Sequence, residues 1–299
     1  MCGIAGIIGR GDVSACGPML ETMTKRGPDQ EGLWLGAGAA LLHRRLSVVD
    51  LENGRQPMTL NWAGETYILV YNGELYNTGE LRTELQALGH AFTSHSDTEV
   101  LLNAYARWGA ACVDRFNGIF AFGVYEEKSG RLFLARDRIG VKPLFYARAG
   151  ETFLFSSELK TLLTYPGMEA RLAPGGVCEV MLLGPGRTPG CGVFEGVSEV
   201  RPGWRGTYQD GELKLEPYWK LTDHAHGDDL MTTIRTVREL VTDAIRRQMV
   251  SDVPVGCFLS GGLDSSILSA VAAEHLRERG EALQTFSVTY KDNDRYFRA

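Results

Sequence analysis

The spacing of apolar residues changes once along this chain, and that change limits the folds open to it. Up to about residue 219, short apolar runs alternate with glycine-rich turns, as in CGIAGIIG, TYILVYNGELY and FNGIFAFGVYEEKSGRLFLARD. After His226 the order becomes a long amphipathic helix, a strand, a glycine-rich turn, a helix and a strand. The first pattern predicts packed sheets, and the second predicts a β-α-β unit with parallel strands. We therefore expect two domains, residues 1–215 and 216–299.

Local signals refine both parts. Capping-box sequences, Asn77-Thr78-Gly79-Glu80 and Ser96-Asp97-Thr98-Glu99, each predict the start of a helix, and Lys128-Ser129-Gly130 predicts a hairpin turn. The first domain should therefore be an α+β sandwich with helices outside its sheets. A single β-α-β unit cannot build a parallel sheet covered on both faces, so we expect the second domain to be incomplete.

Composition narrows the class of protein. With 299 residues, 44% of them hydrophobic, the chain has enough apolar surface for two buried cores. A net charge of -6 does not favour nucleic acid or anionic lipid as a partner. The chain has no apolar run of the roughly 20 residues that span a bilayer, and its start does not resemble a signal peptide, so we expect a cytoplasmic protein.

Six cysteines are present, with no CxxC pair and no histidine at metal-ligand spacing. Apart from Cys2, we expect them to be buried free thiols: Cys16, Cys112, Cys178, Cys191 and Cys257.

Cys2 becomes the N-terminal residue once Met1 is removed. Its thiol then shares one residue with a free α-amine, whose ordinary pKa of about 7.7–8.0 allows it to take the thiol proton. The resulting thiolate can attack an amide carbonyl and form a thioester. A cysteine at this position also has a purely structural interpretation, so the choice depends on the residues that accompany it.

Those residues suit a free amino acid. Arg45 offers a guanidinium fork for an α-carboxylate, and Asp97 can pair with an α-ammonium. Asn72 and Gly73 follow a strand, where a side-chain amide and a backbone N–H could form an oxyanion hole. Individually each has an ordinary alternative: a surface ion pair for Arg45, a hairpin turn for Asn72-Gly73 and a capping box for Asp97.

A series of motifs carries a family resemblance. In order, the chain contains Cys2-Gly3-Ile4-Ala5-Gly6, Arg26-Gly27-Pro28-Asp29, His43-Arg44-Arg45-Leu46-Ser47-Val48-Val49-Asp50, Tyr71-Asn72-Gly73-Glu74-Leu75-Tyr76-Asn77, Ser96-Asp97-Thr98-Glu99, Phe116-Asn117-Gly118 and Arg136-Asp137-Arg138-Ile139-Gly140. Together they resemble the class II glutamine amidotransferase domain of glutamine-hydrolysing asparagine synthetases, and the likeness continues to the segment 293–299.

The resemblance implies an N-terminal-nucleophile hydrolase fold, an αββα sandwich of two antiparallel sheets between helices. It also implies Cys2 as nucleophile, with Asn72 and Gly73 as oxyanion donors. The glutamine contacts that it implies are Arg45, Val48, Val49, Asn72, Gly73, Glu74 and Asp97.

A glycine-rich loop, Ser260-Gly261-Gly262-Leu263-Asp264-Ser265-Ser266, lies between a predicted strand and a predicted helix. Backbone N–H groups and the helix dipole favour phosphate at such a junction. The sequence lacks the Gly-Lys-Ser/Thr ending of a P-loop NTPase, and a plain turn with a serine cap is the ordinary alternative.

The same loop is similar to the pyrophosphate loop of N-type ATP pyrophosphatases. That resemblance implies ATP contacts at Leu259, Ser260, Gly261, Gly262, Asp264, Ser265, Ser266 and Val288. It further implies that Asp264 assists a Mg²⁺ ion.

The complete reaction implied is the transfer of ammonia from glutamine to aspartate, activated by ATP as β-aspartyl-AMP, to give asparagine. Two alternatives remain open: an amidotransferase for another carboxylate, and a glutaminase-only or idle module. Glucosamine-phosphate synthases and amidophosphoribosyltransferases are disfavoured because their second domains lack the Ser-Gly-Gly-x-Asp-Ser loop. Relatives continue beyond residue 299, so we expect a fragment or a shortened relative. A homodimer is left open.

Overall fold

The structure is a computed structural model that describes residues 1–184 and 186–288. The chain divides into two compact units, Met1–Leu221 and a second that begins at Thr222. A strand, Glu212–Pro217, crosses the boundary expected after residue 215, so we propose that the first domain ends at Leu221. The segment 293–299, to which the family resemblance extends, lies outside the described residues.

Twelve strands of the first unit form its two sheets. In chain order they are β1 (Gly3–Ile8), β2 (Gln30–Gly36), β3 (Ala39–Arg45), β4 (Met58–Trp62), β5 (Glu65–Leu75), β6 (Gly118–Glu126), β7 (Arg131–Arg136), β8 (Phe145–Ala149), β9 (Thr152–Ser156), β10 (Val197–Glu199), β11 (Trp204–Gln209) and β12 (Glu212–Pro217). The first sheet has the order β10-β8-β9-β1-β3-β2, and the second has the order β12-β11-β7-β6-β5-β4. Every pairing within these two sheets is antiparallel.

Apolar residues on both faces of the central strands bury both sides of each sheet. In β5, Ile68 and Val70 face the layer between the sheets, while Leu69 and Tyr71 face the outside of the second sheet. The alternation follows the two-residue period of a strand. Gly6 leaves room for the ring of Phe155, its neighbour on β9 of the same sheet, because a Cβ there would lie 2.1 Å from Phe155 Cε1.

Helices cover the two outer faces. They are α1 (Cys16–Thr22), α2 (Thr78–Ala87), α3 (Asp97–Trp108), α4 (Cys112–Arg115), α5 (Leu159–Leu163) and α6 (Pro174–Cys178), with 3-10 turns at Val13–Ala15 and Gly109–Ala111 and a π-helix at Glu179–Leu183. α1 packs on the first sheet, and α2, α3 and α4 pack on the second. The expected αββα sandwich is confirmed.

The two capping boxes turned out differently. Ser96 caps α3 by accepting from Glu99 N–H at 3.3 Å, but the Glu99 carboxylate accepts from Thr93 and Ser94 rather than from Ser96. At Asn77 the predicted helix start is confirmed by α2, but the capping box was wrong, because the Asn77 side chain bonds the Arg115–Asn117 turn instead of capping the helix. The hairpin turn at Lys128-Ser129-Gly130 is confirmed, and Gly130 has φ +66°.

The second unit contains α7 (Leu230–Arg247), β13 (Gly256–Phe258), α8 (Leu263–Glu278) and β14 (Gln284–Phe286). β13 and β14 pair in parallel, so the predicted β-α-β unit is confirmed. Buried thiols are confirmed at Cys16 and Cys112. The expectation was wrong for the other three, of which Cys191 and Cys257 are half-buried. Cys178 is exposed rather than buried, because it lies on the short surface helix α6.

Candidate active site

A single cavity of about 120 Å³ collects the predicted glutamine residues. It lies in the first unit, beside the start of β1, the end of β3 and the second half of β5. The predicted residues that line it are Cys2, Arg45, Val48, Val49, Asn72, Gly73, Glu74 and Asp97.

Cys2 directly precedes β1 and is held by two contacts. Its Sγ is 3.7 Å from the Leu46 carbonyl oxygen, and the Arg26 Nε donates to the Cys2 carbonyl oxygen at 2.9 Å. Burial raises the pKa of the Cys2 thiol, against the opposing effect of the Leu46 contact and the positive charges of Arg45 and the α-amine. The thiol therefore needs a neighbouring base to become a nucleophile near neutral pH.

Asn72 and Gly73 present donors beside this thiol. Asn72 is 1% exposed, and its Nδ2 is buried with no hydrogen-bond partner among the described residues. Gly73 pairs with Phe120, whose N–H and C=O both bond Asp137 on the far side of β6. In an antiparallel pair, the backbone N–H and C=O groups of two opposed residues either face each other or both face away. Those of Phe120 face away from β5, so the Gly73 N–H points away from β6.

β4 ends its pairing at Leu69, so this edge of β5 is open beyond that residue. The neighbouring N–H groups on the edge are taken by side chains: Tyr71 N–H donates to Gln56 Oε1 at 2.6 Å, and Leu75 N–H donates to Asp97 Oδ2 at 3.1 Å. The N–H of Gly73 lies between them. Two donors without a partner in the described part of the chain, one side chain and one backbone, thus belong to adjacent residues lining the cavity of Cys2.

Arg45 is 4% exposed, and its guanidinium makes more hydrogen bonds within the protein than the sequence suggested. Its Nη atoms make four hydrogen bonds, to Gln30 Oε1 and to the carbonyls of Val49, Asp50 and Leu51, at 2.7–3.1 Å. The guanidinium that was expected to bind an α-carboxylate is therefore also bonded within the protein. A ligand carboxylate would share this guanidinium with the loop that forms the cavity wall.

Two carboxylates and an amine complete the polar lining. Burial raises the pKa of Asp97, against hydrogen bonds from the Tyr71 hydroxyl at 2.8 Å and from Leu75 N–H. Burial also raises the pKa of Glu74, an effect that the Lys142 ammonium opposes. Lys142 is 7% exposed, and burial lowers the pKa of its amine.

Sequence reasoning missed several of the lining residues, namely Met1, Leu46, Gly54, Gln56, Tyr71, Thr98 and Lys142. For Tyr71 a signal existed, since it directly precedes Asn72-Gly73 within a quoted motif. Lys142 follows the Arg136–Gly140 motif by two residues. Gln56 had no signal, because it acts across the fold on β5.

The phosphate loop has the predicted context, from the end of β13 into α8. Gly261 has φ +83°, and the Ser265 hydroxyl donates to the Gly262 carbonyl oxygen at 3.1 Å and lies 3.1 Å from the Ser260 hydroxyl. Gly262 caps α8 without a side chain, so the first N–H groups of a 16-residue helix stay accessible to an anion. Ser266 donates to the same Gly262 carbonyl oxygen.

The remaining predicted ATP residues lie at the same edge. Leu259 N–H bonds the Phe286 carbonyl, and Val288 follows β14, is exposed, and lies at the carboxyl end of the parallel pair. Asp264 is in the exposed first turn of α8. Among the described residues no cluster of three His, Cys, Asp or Glu side chains could hold a metal. One carboxylate fits Mg²⁺ only where nucleotide phosphates supply further oxygens.

Solved structures share the fold. The glutamine phosphoribosylpyrophosphate amidotransferase of Bacillus subtilis, complexed with ADP and GMP, superposes with a TM-score of 0.55 at 18% identity, covering 100% of this chain and 68% of that one. This likeness and the sandwich establish the expected αββα fold for the first unit.

Residues 1–219 match the family described as glutamine amidotransferase domain, and residues 236–297 match the family described as asparagine synthase. The first match covers most of the chain, which therefore belongs to the glutamine amidotransferase family, continued by an asparagine synthase segment. The resemblance inferred from the motifs is confirmed.

Curated relatives carry the same two parts. The glutamine-hydrolysing asparagine synthetase 3 of B. subtilis is 50% identical over 94% of this chain and 46% of its own length. Asparagine synthetase B of Escherichia coli is 32% identical over 87% of this chain and 41% of its own length. The chain thus spans about half the length of these relatives. Within the described residues, no helix is long and apolar enough to cross a membrane.

Proposed function

We propose that this chain hydrolyses glutamine to glutamate and ammonia with Cys2 as nucleophile. The observation that carries the proposal is the pair of unused donors, Asn72 Nδ2 and Gly73 N–H, which belong to residues lining the same cavity as Cys2. A buried donor without a partner has a free-energy cost, which is offset when a substrate oxygen accepts from it.

In the proposed reaction, removal of Met1 leaves the α-amine of Cys2 to take the thiol proton. The thiolate attacks the carboxamide carbon of glutamine, and the oxyanion accepts from Asn72 Nδ2 and Gly73 N–H. Collapse of the tetrahedral intermediate releases ammonia, with the proton returned by the amine, and leaves a thioester. Water then hydrolyses the thioester to glutamate and restores the thiol.

The same proposal gives the substrate's charged groups their partners. Asp97 pairs with the α-ammonium, assisted by Glu74. Arg45 attracts the α-carboxylate while holding the loop that carries Val48 and Val49. These opposite charges at one cavity favour a zwitterionic amino acid over a neutral amide.

The second unit supports a proposed role in ATP-dependent amidation. The loop from Ser260 to Ser266 would hold the pyrophosphate portion of ATP, with Asp264 beside Mg²⁺ bound through the phosphates. We propose aspartate as the acceptor because the matched relatives are named asparagine synthetases. A cytoplasmic location, where these substrates occur, accompanies this proposal.

The first experiment measures glutamate release from glutamine by the chain, after intact mass has established that Met1 is gone. Cys2→Ala should abolish release, and Cys178→Ala, which removes an exposed thiol on α6, should leave it unchanged. Release that persists in Cys2→Ala would refute the assignment. An inactive, correctly processed wild type would refute the proposed glutaminase for this chain.

A further inference from the structure

Tyr71 connects three elements around the cavity through its three polar atoms. Its N–H donates to Gln56 Oε1 at 2.6 Å, its C=O accepts from His43 Nε2 on β3 at 3.2 Å, and its hydroxyl donates to Asp97 Oδ2 on α3 at 2.8 Å. Its side chain is 2% exposed and the next residue is Asn72. The sequence motifs gave this tyrosine no role.

The direction of each hydrogen bond is fixed by chemistry. A carbonyl only accepts, so His43 carries its proton on Nε2, and burial lowers the pKa of His43 to about 3, which keeps the ring neutral. Burial and the Asp97 charge hold the pKa of Tyr71 well above its usual range, so the hydroxyl stays protonated and donates to the carboxylate. The His43 ring and the Tyr71 hydroxyl therefore keep their protonation states through the neutral pH range.

The hydrogen bond from Tyr71 determines which carboxylate oxygen of Asp97 can contact a ligand. The Tyr71 hydroxyl and the Leu75 N–H both bond Oδ2, and Asp97 lines the cavity. With Oδ2 engaged by two donors, Oδ1 is the oxygen available to an ammonium group. Without the hydroxyl, Oδ2 would keep only the Leu75 N–H, so the carboxylate would be held less firmly by that oxygen and by the backbone N–H groups of Asp97 and Thr98.

We propose that Tyr71 is a positioning residue for specificity: its hydroxyl fixes the Asp97 carboxylate so that the cavity selects amides that carry an α-ammonium. The inference rests on the proposed glutaminase function and deepens it. Asp97 contacts the substrate, and Tyr71 acts through Asp97. Because the same residue anchors the strand of Asn72 and Gly73, the ammonium subsite and the oxyanion donors share one rigid support.

The test compares two amides in Tyr71→Phe, which removes the hydroxyl and keeps the ring. Glutamine carries the α-ammonium, whereas glutaramate has the same carboxylate and carboxamide without it. We expect kcat/KM for glutamine to fall about tenfold, mainly through KM, because a hydrogen bond to a charged group is lost. For glutaramate we expect kcat/KM to stay within about twofold.

A second variant separates positioning from packing. Adding Tyr71→Phe to Asp97→Asn should cause little further loss for glutamine, because the carboxylate that the hydroxyl orients is already gone. An equal loss for both amides, which leaves the glutamine-to-glutaramate ratio of kcat/KM unchanged, would overturn the inference. Additive losses in the double variant would overturn it as well. Wild-type glutamine turnover, with its loss in Cys2→Ala, reports on the proposed function separately.

Discussion

Asn72→Ala should separate activity from stability in an unusual way. The Asn72 side chain is buried with its Nδ2 unpartnered among the described residues. Truncation therefore removes a group with a desolvation cost of about 1–3 kcal/mol and no compensating bond, and it loses only modest packing beside an existing cavity. We expect the free energy of unfolding to change by no more than about 1 kcal/mol, a Tm shift of about 2–4 °C.

Activity, unlike stability, should change strongly in Asn72→Ala. Loss of one oxyanion donor costs about 2.7–4 kcal/mol of transition-state stabilisation, so kcat for glutamate release should fall about 10²- to 10³-fold while KM changes little. The assay is coupled detection of glutamate, alongside thermal unfolding followed by circular dichroism.

Asn103→Ala is the matched control. Asn103 is also buried, but its Oδ1 is 2.8 Å from His90 Nδ1 and its Nδ2 donates to the Glu99 carbonyl at 2.8 Å. Its truncation should destabilise the fold by about 2 kcal/mol and spare kcat. If Asn72→Ala kept more than a tenth of kcat while losing as much stability as Asn103→Ala, Asn72 would be structural.

Three further outcomes are expected. Gly54→Ala would place a Cβ 2.2 Å from Arg45 Nη2, which two hydrogen bonds hold in place. The KM for glutamine should therefore rise about tenfold. Gly79→Ala, whose Cβ meets open space, should leave KM unchanged, and equal KM values in the two variants would refute this prediction. Burial raises the pKa of the Cys2 thiol. In protein that retains Met1, alkylation of Cys2 by iodoacetamide, measured against Cys2→Ala, should therefore increase with pH, with a midpoint above the ordinary value of about 8.5. A midpoint below about 8 would contradict the burial effect. Ser265→Ala removes hydrogen bonds that brace the phosphate loop, so Mg²⁺-pyrophosphate binding measured by calorimetry should weaken about three- to tenfold, and unaltered binding would count against the loop assignment.

The sequence was sufficient wherever local chemistry determines structure. The apolar run in TYILVYNGELY predicted the strand β5, and the order strand, glycine-rich loop, helix predicted the junction of β13 with α8. The motifs around Cys2, Asn72 and Asp97 predicted residues that the fold brings to one cavity from distant positions.

Long-range partners could not be predicted in the same way. Asn77 has a good capping sequence, yet its side chain bonds Arg115 and Asn117, some forty positions away, because a backbone turn there needs both a donor and an acceptor. Arg45 was expected to bind an α-carboxylate, but nothing in the sequence indicated that the carbonyls of the following loop also bond its terminal nitrogens. No periodicity or propensity reports such competition between partners.

The proposed oxyanion site originates in a mismatch of strand lengths. β5 has 11 residues and its partner β4 has five, so the outer edge of β5 runs unpaired beyond Leu69. An open edge would ordinarily invite another strand, and proteins usually cover or interrupt it.

Here Gln56 and Asp97 satisfy the N–H groups on either side of Gly73, which leaves one backbone donor open to the cavity. A Cβ at position 73 would lie 2.3 Å from the Ile119 carbonyl oxygen, so glycine is required where this donor is exposed. The same truncated ladder that creates a cost for folding thus supplies a fixed donor for the proposed chemistry, and Tyr71, whose N–H and C=O are both hydrogen-bonded, keeps that donor in place.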